Sequence, residues 1–235
     1  MSNENRVLTD FRVFAYLVWK HLNLPQPTPV QLDICTYLQN SPKRSIIQAF
    51  RGVGKSFLTS AYVIWVLLND PQKKILVVSA SKERADAFST FVKRLINEME
   101  ILHHLRPKEG QRDSVVAFDV GLALADHSPS VKSVGITGQL TGSRADLMIL
   151  DDIEVPGNSM TEMMREKLLQ LCTEAESILT PKKDSRIMYL GTPQTTFTIY
   201  RTLASRNYRP LVWPARYPPK DKLSQYEGLL AQEIV

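Results

Sequence analysis

The sequence predicts an α/β protein in which a mostly parallel β-sheet is covered by helices on both faces. Short apolar runs alternate with longer amphipathic segments along most of the 235 residues. This alternation is typical of strand–helix units, whose parallel strands are buried between helices. One such unit contains a glycine-rich loop between its strand and its helix, and polar residues follow several of the runs. Ligands bind at the carboxyl ends of strands in such sheets, so we expect the functional site there.

The predicted elements follow one another with few interruptions. Apolar runs predict strands at residues 45–47, 74–80, 131–136, 147–150 and 186–190. Helical periodicity predicts helices near residues 11–22, 30–38, 57–65, 81–100, 159–179 and 197–205, with Thr9 as the cap of the first. Residues 103–130 are predicted to be mostly irregular or a hairpin, with a strand at 115–118. A Pro-rich connector and an amphipathic helix over residues 220–235 are predicted after Pro210.

Composition narrows the class of protein. Lys and Arg (29) exceed Asp and Glu (24) by 5, and the sequence pI of about 9.2 favours a polyanionic partner such as nucleic acid. Cys35 and Cys172 lie in separate predicted helices without a nearby histidine, so we expect reduced, buried thiols. The polar start of the chain does not resemble a secretory signal, and the longest apolar run is too short to span a bilayer. We therefore expect a soluble, intracellular protein.

A phosphate-binding loop is predicted between the first strand and the helix that follows it. Such a loop needs small residues, so that backbone N–H groups converge on phosphates, followed by Lys for the β- and γ-phosphates and Ser for Mg²⁺. Gly52, Gly54, Lys55 and Ser56 fill these places, and Ala49 stands where the motif has its first glycine. The alternative is a helix start with a flexible glycine turn. The strand before the loop and the amphipathic helix after it favour a nucleotide site.

Three carboxylates follow the buried strand at residues 147–150. Asp151, Asp152 and Glu154 would repel one another unless a cation or a bound water used them. Hydrolysis of a nucleoside triphosphate needs one acid to hold the Mg²⁺ shell and one carboxylate to orient or deprotonate the attacking water. Asp151 suits the first role. Asp152 and Glu154 compete for the second, and the sequence does not choose between them.

Three further residues are candidates for the same site. The strand at 186–190 ends in Gly191-Thr192-Pro193, where the Thr192 hydroxyl would lie beside the γ-phosphate and report its hydrolysis. Arg51 in the loop and Arg144 before the acidic strand are candidates for stabilising transition-state charge, because a guanidinium matches phosphate oxygens. The alternatives are loop punctuation for Thr192, and a salt bridge or solvent exposure for the arginines. The four histidines do not have the spacing of a metal site.

Together these residues resemble the large terminase subunit, the DNA-packaging ATPase of tailed phages, most closely the short-tailed podophage type also called DNA maturase B. The resemblance covers nearly the whole chain and implies a three-layer P-loop NTPase fold of the RecA-like (ASCE) class. The segments that carry it are Pro29-Val30-Gln31, Arg51-Gly52-Val53-Gly54-Lys55-Ser56, Ser79-Ala80-Ser81-Lys82, Thr141-Gly142-Ser143-Arg144-Ala145-Asp146, Leu150-Asp151-Asp152-Ile153-Glu154 and Gly191-Thr192-Pro193.

The resemblance also implies roles for individual residues. ATP and Mg²⁺ would be bound by Gln31 at the adenine, by the loop Ala49-Phe50-Arg51-Gly52-Val53-Gly54-Lys55-Ser56 at the phosphates, and by Ser56 and Asp151 at the metal, with Thr192 coupling hydrolysis to movement. The sequence departs from the family at two places. Asp152 stands where many members have Glu, and Thr141-Gly142 stands where many have Arg-Gly. That arginine is thought to act in a neighbouring subunit's site, and Arg144 is the candidate substitute.

The resemblance finally implies an organisation and a set of partners. Residues 1–210 would form the ATPase domain, with the N-terminal helices and the adenine-side motif in residues 1–40. Residues 211–235 would lead to a C-terminal nuclease domain that this chain does not contain, so we expect ATP hydrolysis without DNA cleavage. Expected partners are double-stranded DNA, the portal protein, the procapsid and the small terminase subunit, with a homo-oligomeric ring on the capsid or a monomer in isolation. The expected location is the host cell cytoplasm, docked transiently on the procapsid.

Two alternatives remain open from the sequence. The first is a helicase-like ATPase with a similar core, although such helicases usually carry a second α/β domain in the same chain. The second is a nucleotide-binding switch or scaffold with little turnover. Asp152 and Glu154 distinguish these hypotheses. If changing each of them singly to Ala left turnover intact, the catalytic interpretation would fail.

Overall fold

A single twisted sheet forms the centre of the molecule. The computed structural model of the chain describes residues 3–140, 142, 144–194 and 197–233. Across these residues the strands of the sheet are β1 (Arg44–Ala49), β2 (Ile75–Ser79), β3 (Ala117–Phe118), β4 (Val131–Gly135), β5 (Leu147–Asp151), β6 (Arg186–Gly191) and β7 (Arg209–Trp213). Their order across the sheet is β3-β4-β2-β5-β6-β1-β7, and β3–β4 is the antiparallel pair. The predicted mostly parallel sheet is therefore confirmed.

Helices cover both faces of this sheet. They are α1 (Asn3–Thr9), α2 (Phe11–His21), α3 (Pro29–Asn40), α4 (Lys55–Asn69), α5 (Lys82–Glu98), α6 (Pro156–Ser159), α7 (Glu162–Glu176) and α8 (Ile199–Ser205), with 3-10 helices at Glu100–Leu105 and Lys220–Tyr226. One apolar core lies between the sheet and α1 to α5, and a second lies between the sheet and α7 and α8. These two cores give the three-layer architecture that the sequence predicts.

The central strands are apolar throughout because both of their faces are buried. In β1, Ile47 enters the first core and its neighbour Ile46 enters the second, as the alternation of side chains along a strand requires. Every residue of β2 and of β5 is buried. The strand that lies between β5 and β1 is β6, so the loops after these three strands leave the sheet side by side at its carboxyl edge.

Two local predictions are wrong, and the bounds of a third differ slightly from those observed. Thr9 does not cap α2, because α1 extends to Thr9 and the carboxylate of Asp10 accepts the backbone N–H of Arg12 at 3.0 Å. The helix predicted near 159–179 is α7, which begins slightly later than expected because Thr161 caps it by accepting the N–H of Met164. Residues 220–235 do not form one long helix, because the described part is a 3-10 helix whose continuation returns to the sheet, where the Ala231 N–H donates to Val212 O at 2.9 Å.

The region around Pro210 also differs from expectation. Strand β7 runs through Pro210 and pairs in parallel with β1 at the edge of the sheet. Proline is tolerated there because an edge strand does not need every N–H for the ladder. The domain boundary expected at residue 210 stays a prediction.

Several smaller expectations can be compared with the structure. The strand expected at 115–118 is the two-residue β3, and the rest of that region is mostly irregular. Cys35 and Cys172 are both free and buried, and burial raises the pKa of each thiol to about 12. Among the residues described, no helix combines the length and the apolar character needed to cross a membrane.

Candidate functional site

The loop after β1 has the geometry of an anion site. Gly52 and Gly54 have φ values of 91° and 84°, in the left-handed region that glycine adopts without strain. Helix α4 begins directly after Gly54, so its first backbone N–H groups lie at the loop. These N–H groups lack partners within the helix, and the helix dipole places partial positive charge there. The glycine spacing therefore produces a helix N-terminus that is suited to phosphate.

Lys55 joins this loop to the end of β6. Its side chain is buried, with 6% of its surface exposed. The Nζ atom donates to Ala49 O at 3.1 Å, to Phe50 O at 3.3 Å and to Thr192 Oγ1 at 3.0 Å, which uses all three ammonium hydrogens. The Thr192 hydroxyl in turn donates to Ala49 O at 2.9 Å. The expected convergence of the β1 and β6 ends is therefore confirmed.

Ser56 and Asp151 form the second link across the site. The Ser56 hydroxyl donates to Asp151 Oδ2 at 3.0 Å. Asp151 is 7% exposed, and its other oxygen, Oδ1, is buried without a hydrogen-bond partner in the described part of the chain. Burial, and then the neighbouring Asp152 carboxylate, raise the pKa of Asp151 to about 6, while the hydrogen bond from Ser56 opposes the rise.

These two side chains fit Mg²⁺. A buried carboxylate oxygen without a partner is costly unless a cation or a hydrogen-bond donor meets it. Across the described ranges, no group of three or more His, Cys, Asp and Glu side chains has the arrangement of a metal site. Mg²⁺ is usually bound by one or two carboxylates, with waters and substrate phosphates as its other ligands. One carboxylate and one hydroxyl beside a phosphate loop match that pattern.

Asp152 and Glu154 face different surroundings. Asp152 has a φ of 46°, which is uncommon for a residue other than glycine, and its N–H donates to Leu190 O at 2.7 Å. Its half-buried side chain lines a cavity of about 380 Å³ together with Ser56 and Asp151. Glu154 is 1% exposed; its Oε1 accepts the Gln194 N–H in the loop after β6, and its Oε2 accepts hydrogen bonds from Thr198 and Ile199 at the start of α8.

Gln31 lies against the phosphate loop from the side of α3. Its Nε2 donates to Val53 O at 2.9 Å, and its Oε1 accepts the Thr28 N–H at 2.8 Å. The second contact is part of a capping box at the start of α3. The structure thus brings Gln31 to the loop, 3.2 Å from where a side chain at Gly54 would begin.

The two candidate arginines lie in different places. Arg51 is exposed within the loop, and it makes no hydrogen bond or ion pair among the residues that the structure describes. Arg144 precedes β5 and donates its N–H to Ser128 Oγ, so it lies at the amino edge of the sheet. The length of β5, about 13 Å, separates that edge from Asp151. Arg144 does not join the other candidates in its own chain, and Thr141 and Ser143 lie outside the described residues.

The sequence reasoning missed Arg84. This residue lies in the first turns of α5 and lines the cavity beside Asp151 and Asp152. Its positive charge acts to lower the pKa of Asp151. A signal was present in the segment Ser79-Ala80-Ser81-Lys82, which follows the second strand and places the start of α5 at the carboxyl edge.

Known proteins resemble this chain in sequence and in fold. The terminase large subunit of Enterobacteria phage T3 is 53% identical over 234 residues, which is 97% of this chain, and the chain spans 40% of the length of that relative. Among solved structures, the large terminase of bacteriophage HK97 has a TM-score of 0.56 at 17% identity, covering 94% of this chain and 45% of that one. Yeast Dbp5 has a TM-score of 0.53 at 13% identity, covering 85% and 52%.

These similarities differ in what they show. No model of a known protein family matches the chain. At identities of 17% and below, the two structural matches show the fold, which is of the three-layer RecA-like kind. The sequence match is much closer, and it covers all but a few residues of this chain. Over nearly all of its length the chain is therefore similar to part of a phage large terminase subunit, and its own structure has the P-loop ATPase fold.

Proposed function

We propose that this chain hydrolyses ATP with Mg²⁺ and, as part of a large terminase, uses the energy to translocate double-stranded DNA into a procapsid. The observation that carries the proposal is the pair of links across the site, from Lys55 to Thr192 and from Ser56 to Asp151. They join the loops after three neighbouring strands around one anion-binding helix start. The similarity to a protein named a terminase large subunit supplies the motor role.

Each side chain has a defined task in this proposal. Lys55, Arg51 and the N–H groups at the start of α4 bind the β- and γ-phosphates, and Gln31 contacts the adenine. Ser56 and Asp151 hold Mg²⁺, which when bound neutralises charge on those phosphates. Asp152 orients the attacking water and accepts its proton, because its carboxylate lines the cavity beside Ser56 and Asp151. Thr192 senses the γ-phosphate through its contact with Lys55.

Asp152 is preferred to Glu154 as the carboxylate that addresses the water. A general base must come within hydrogen-bond reach of the water, either directly or through another water. Asp152 is half-buried at the cavity, whereas Glu154 is engaged by donors from Gln194, Thr198 and Ile199. Freeing Glu154 for catalysis would leave buried donors without partners, which is unfavourable.

The motor role requires partners beyond this chain. We propose that the terminase acts as a ring on the portal of the procapsid, together with the small terminase subunit and double-stranded DNA in the host cytoplasm. The formal net charge of +5 is consistent with a polyanionic partner. In such a ring Arg144 would act on the ATP of a neighbouring subunit, since it lies at the edge of the sheet remote from its own site.

The rate of ATP hydrolysis under four conditions tests the proposal. The rate is measured against protein concentration, alone, with duplex DNA, with procapsids carrying portal, and with both. We expect a slow basal rate that depends on Mg²⁺ and rises when procapsids and DNA are both present. A rate that is independent of concentration, DNA and procapsids would contradict the motor role. Separation of duplex strands without stimulation by procapsids would favour the helicase-like alternative.

A further inference from the structure

We propose that Glu154 is a positioning residue that links the loop after β6 to the start of α8, so that nucleotide binding at Lys55 changes the conformation of α8. This inference rests on the proposed ATP site. It assigns to Glu154 a role in transmission rather than in attack on the phosphate. It rests on a continuous series of hydrogen bonds between the phosphate loop and a helix on the opposite face of the sheet from α4.

The first step of the series is at Lys55. All three of its ammonium hydrogens are donated within the chain, to two carbonyls of the loop and to the Thr192 hydroxyl. A phosphate that binds Lys55 must therefore replace at least one of these contacts. Because the Thr192 hydroxyl also donates to Ala49 O, any change at Lys55 reaches both the β1 and the β6 ends. Binding of nucleotide thus has a direct effect on Thr192.

The second step runs from Thr192 to Glu154. The side-chain Nε2 of Gln194 donates to Thr192 O at 2.9 Å, and the backbone N–H of Gln194 donates to Glu154 Oε1 at 3.0 Å. Gln194 therefore connects the carbonyl of one residue to the carboxylate of the other. A displacement of Thr192 is passed on to Glu154 through these two hydrogen bonds.

The third step runs from Glu154 to α8. Its Oε2 accepts the Thr198 hydroxyl at 2.7 Å and the Ile199 N–H at 2.8 Å. Thr198 is the N-cap of α8 and also accepts the Tyr200 N–H. Hydrogen bonds to a buried ionised group are stronger than neutral ones, and losing one leaves a costly unpaired charge. The start of α8 is therefore held to Glu154, and the two segments move together.

Tyr200 makes a second, steric link between the same segments. Its side chain is fully buried, and its hydroxyl has no hydrogen-bond partner within the described ranges. A Cβ atom at Gly191 would lie 1.8 Å from this hydroxyl, so α8 packs directly on the backbone at the end of β6. Close-packed interiors transmit small displacements because little free volume absorbs them. A side chain at position 191 would therefore clash with Tyr200 of α8. For the same reason, a shift of the β6 end displaces the helix.

Helix α8 lines a cavity together with the last described segment of the chain. With Thr192 at one side, Tyr200, Arg201 and Ala204 line a cavity of about 810 Å³. Gln225 and Leu229, in the segment that returns to β7, line the same cavity. A movement of α8 therefore changes the shape of the cavity that it shares with the last described segment of the chain. This is the route by which the state of the nucleotide reaches the C-terminal end of the domain.

Hydrogen–deuterium exchange tests the link in the intact chain. Exchange is followed in peptides that cover α8 and residues 225–230, with and without Mg²⁺ and a non-hydrolysable ATP analogue. We expect the analogue to change the exchange rates of these amides at least threefold in the wild type. In Thr198→Val, which removes the hydroxyl donor to Glu154, the change should fall below half of that value. Thr198→Ser should restore it, and Thr202→Val, on the exposed side of α8, should leave it intact.

Each outcome separates this inference from the proposed function. Affinity for a fluorescent ATP analogue is measured for every variant, and thermal unfolding confirms that each is folded. If no nucleotide binds the wild type, the proposed ATP site and this inference fail together. If nucleotide binds but exchange in α8 does not change, the inference fails and the ATP site stands. Equal responses in Thr198→Val and Thr202→Val would also overturn the role of Glu154.

Discussion

Two buried aspartates lie at opposite ends of β5 and differ in how completely they are paired. Asp146, at the amino edge, is 2% exposed, and its oxygens accept the Lys74 N–H at 3.0 Å, the Thr180 hydroxyl at 2.8 Å and the Lys182 Nζ at 2.7 Å. Asp151, at the carboxyl edge, accepts the Ser56 hydroxyl, and its Oδ1 has no partner among the residues described. Both residues are buried, but both carboxylate oxygens of Asp146 accept hydrogen bonds, whereas only one oxygen of Asp151 does so within the described residues.

The pKa values of the two carboxyl groups reflect this difference. Burial opposes ionisation of Asp146, but the ammonium of Lys182 and the donors from Lys74 and Thr180 outweigh it and hold the pKa below its ordinary value. Burial and the Asp152 carboxylate raise the pKa of Asp151 to about 6. At the amino edge, the hydrogen bonds of Asp146 therefore stabilise the fold. At the carboxyl edge, Asp151 keeps a carboxylate oxygen that is unpaired within the described part of the chain and that a cation can bind. This contrast supports the proposed site at the carboxyl edge of the sheet.

At the carboxyl edge a large effect on activity is expected. Lys55→Ala removes the cation that the β- and γ-phosphates would meet, so ATP turnover should fall roughly 10²–10³-fold. The measurement is the steady-state ATPase rate with saturating Mg²⁺. The matched control is Lys182→Ala at the amino edge, whose turnover per folded molecule should stay within about twofold of the wild type. Equal losses in both variants would remove the distinction between the edges.

At the amino edge the expected effect is on stability. Asp146→Ala leaves the Lys74 N–H and the Thr180 hydroxyl without their shared acceptor, so the free energy of unfolding should fall by about 2–3 kcal/mol. Urea denaturation measures this change. The ATPase rate of the fraction that remains folded should be unchanged. A large loss of activity without loss of stability would contradict a structural role for Asp146.

Asp151→Asn should have the opposite effect on stability. The folded-state pKa of about 6 exceeds the ordinary 3.8, so the stability that Asp151 contributes is fully present below pH 3.8 and is lost as the pH rises through 6. At pH 8 without Mg²⁺ the variant should therefore be more stable than the wild type, by about 3 kcal/mol. Thermal unfolding at pH 8 in chelator measures the difference, which should shrink towards pH 4. Hydrolysis should be lost in the same variant.

The smallest effect concerns Lys182 itself. Its side chain is 58% exposed, so solvent screens its interaction with Asp146. Lys182→Ala should lower the free energy of unfolding by no more than about 1 kcal/mol. Urea denaturation at low and high salt measures this loss, which should diminish at high salt. A larger loss that does not depend on salt would show that Lys182 contributes mainly by packing.

The sequence predicts the sheet and the phosphate loop well because both depend on local patterns. A strand buried on two faces must be apolar along its length, as β2 and β5 are. The left-handed turns at Gly52 and Gly54 require glycine, so the loop is visible in the residues themselves. In each case the constraint acts on consecutive residues.

The positions that the sequence does not predict depend on distant contacts. Asp152 and Glu154 have the same chemistry, and our proposal of Asp152 depends on the hydrogen bonds that Glu154 accepts from residues 40 to 45 positions away, at Gln194 and at the start of α8. Pro210 marks the end of a domain by composition, yet it lies in an edge strand because β1 offers a free side there. Asp10 replaces Thr9 as a cap because α1 occupies the preceding residues.

Single-turnover hydrolysis of ATP by Asp152→Asn and Glu154→Gln tests the central claim most directly. Both variants keep the size of the side chain and lose its negative charge. With Mg²⁺ present and nucleotide binding intact, Asp152→Asn should slow hydrolysis roughly 10²–10⁴-fold, the range expected for loss of general-base catalysis. Glu154→Gln should slow it by less than about tenfold, because its carboxylate positions α8 and does not meet the water. The reverse order of the two losses would contradict the account.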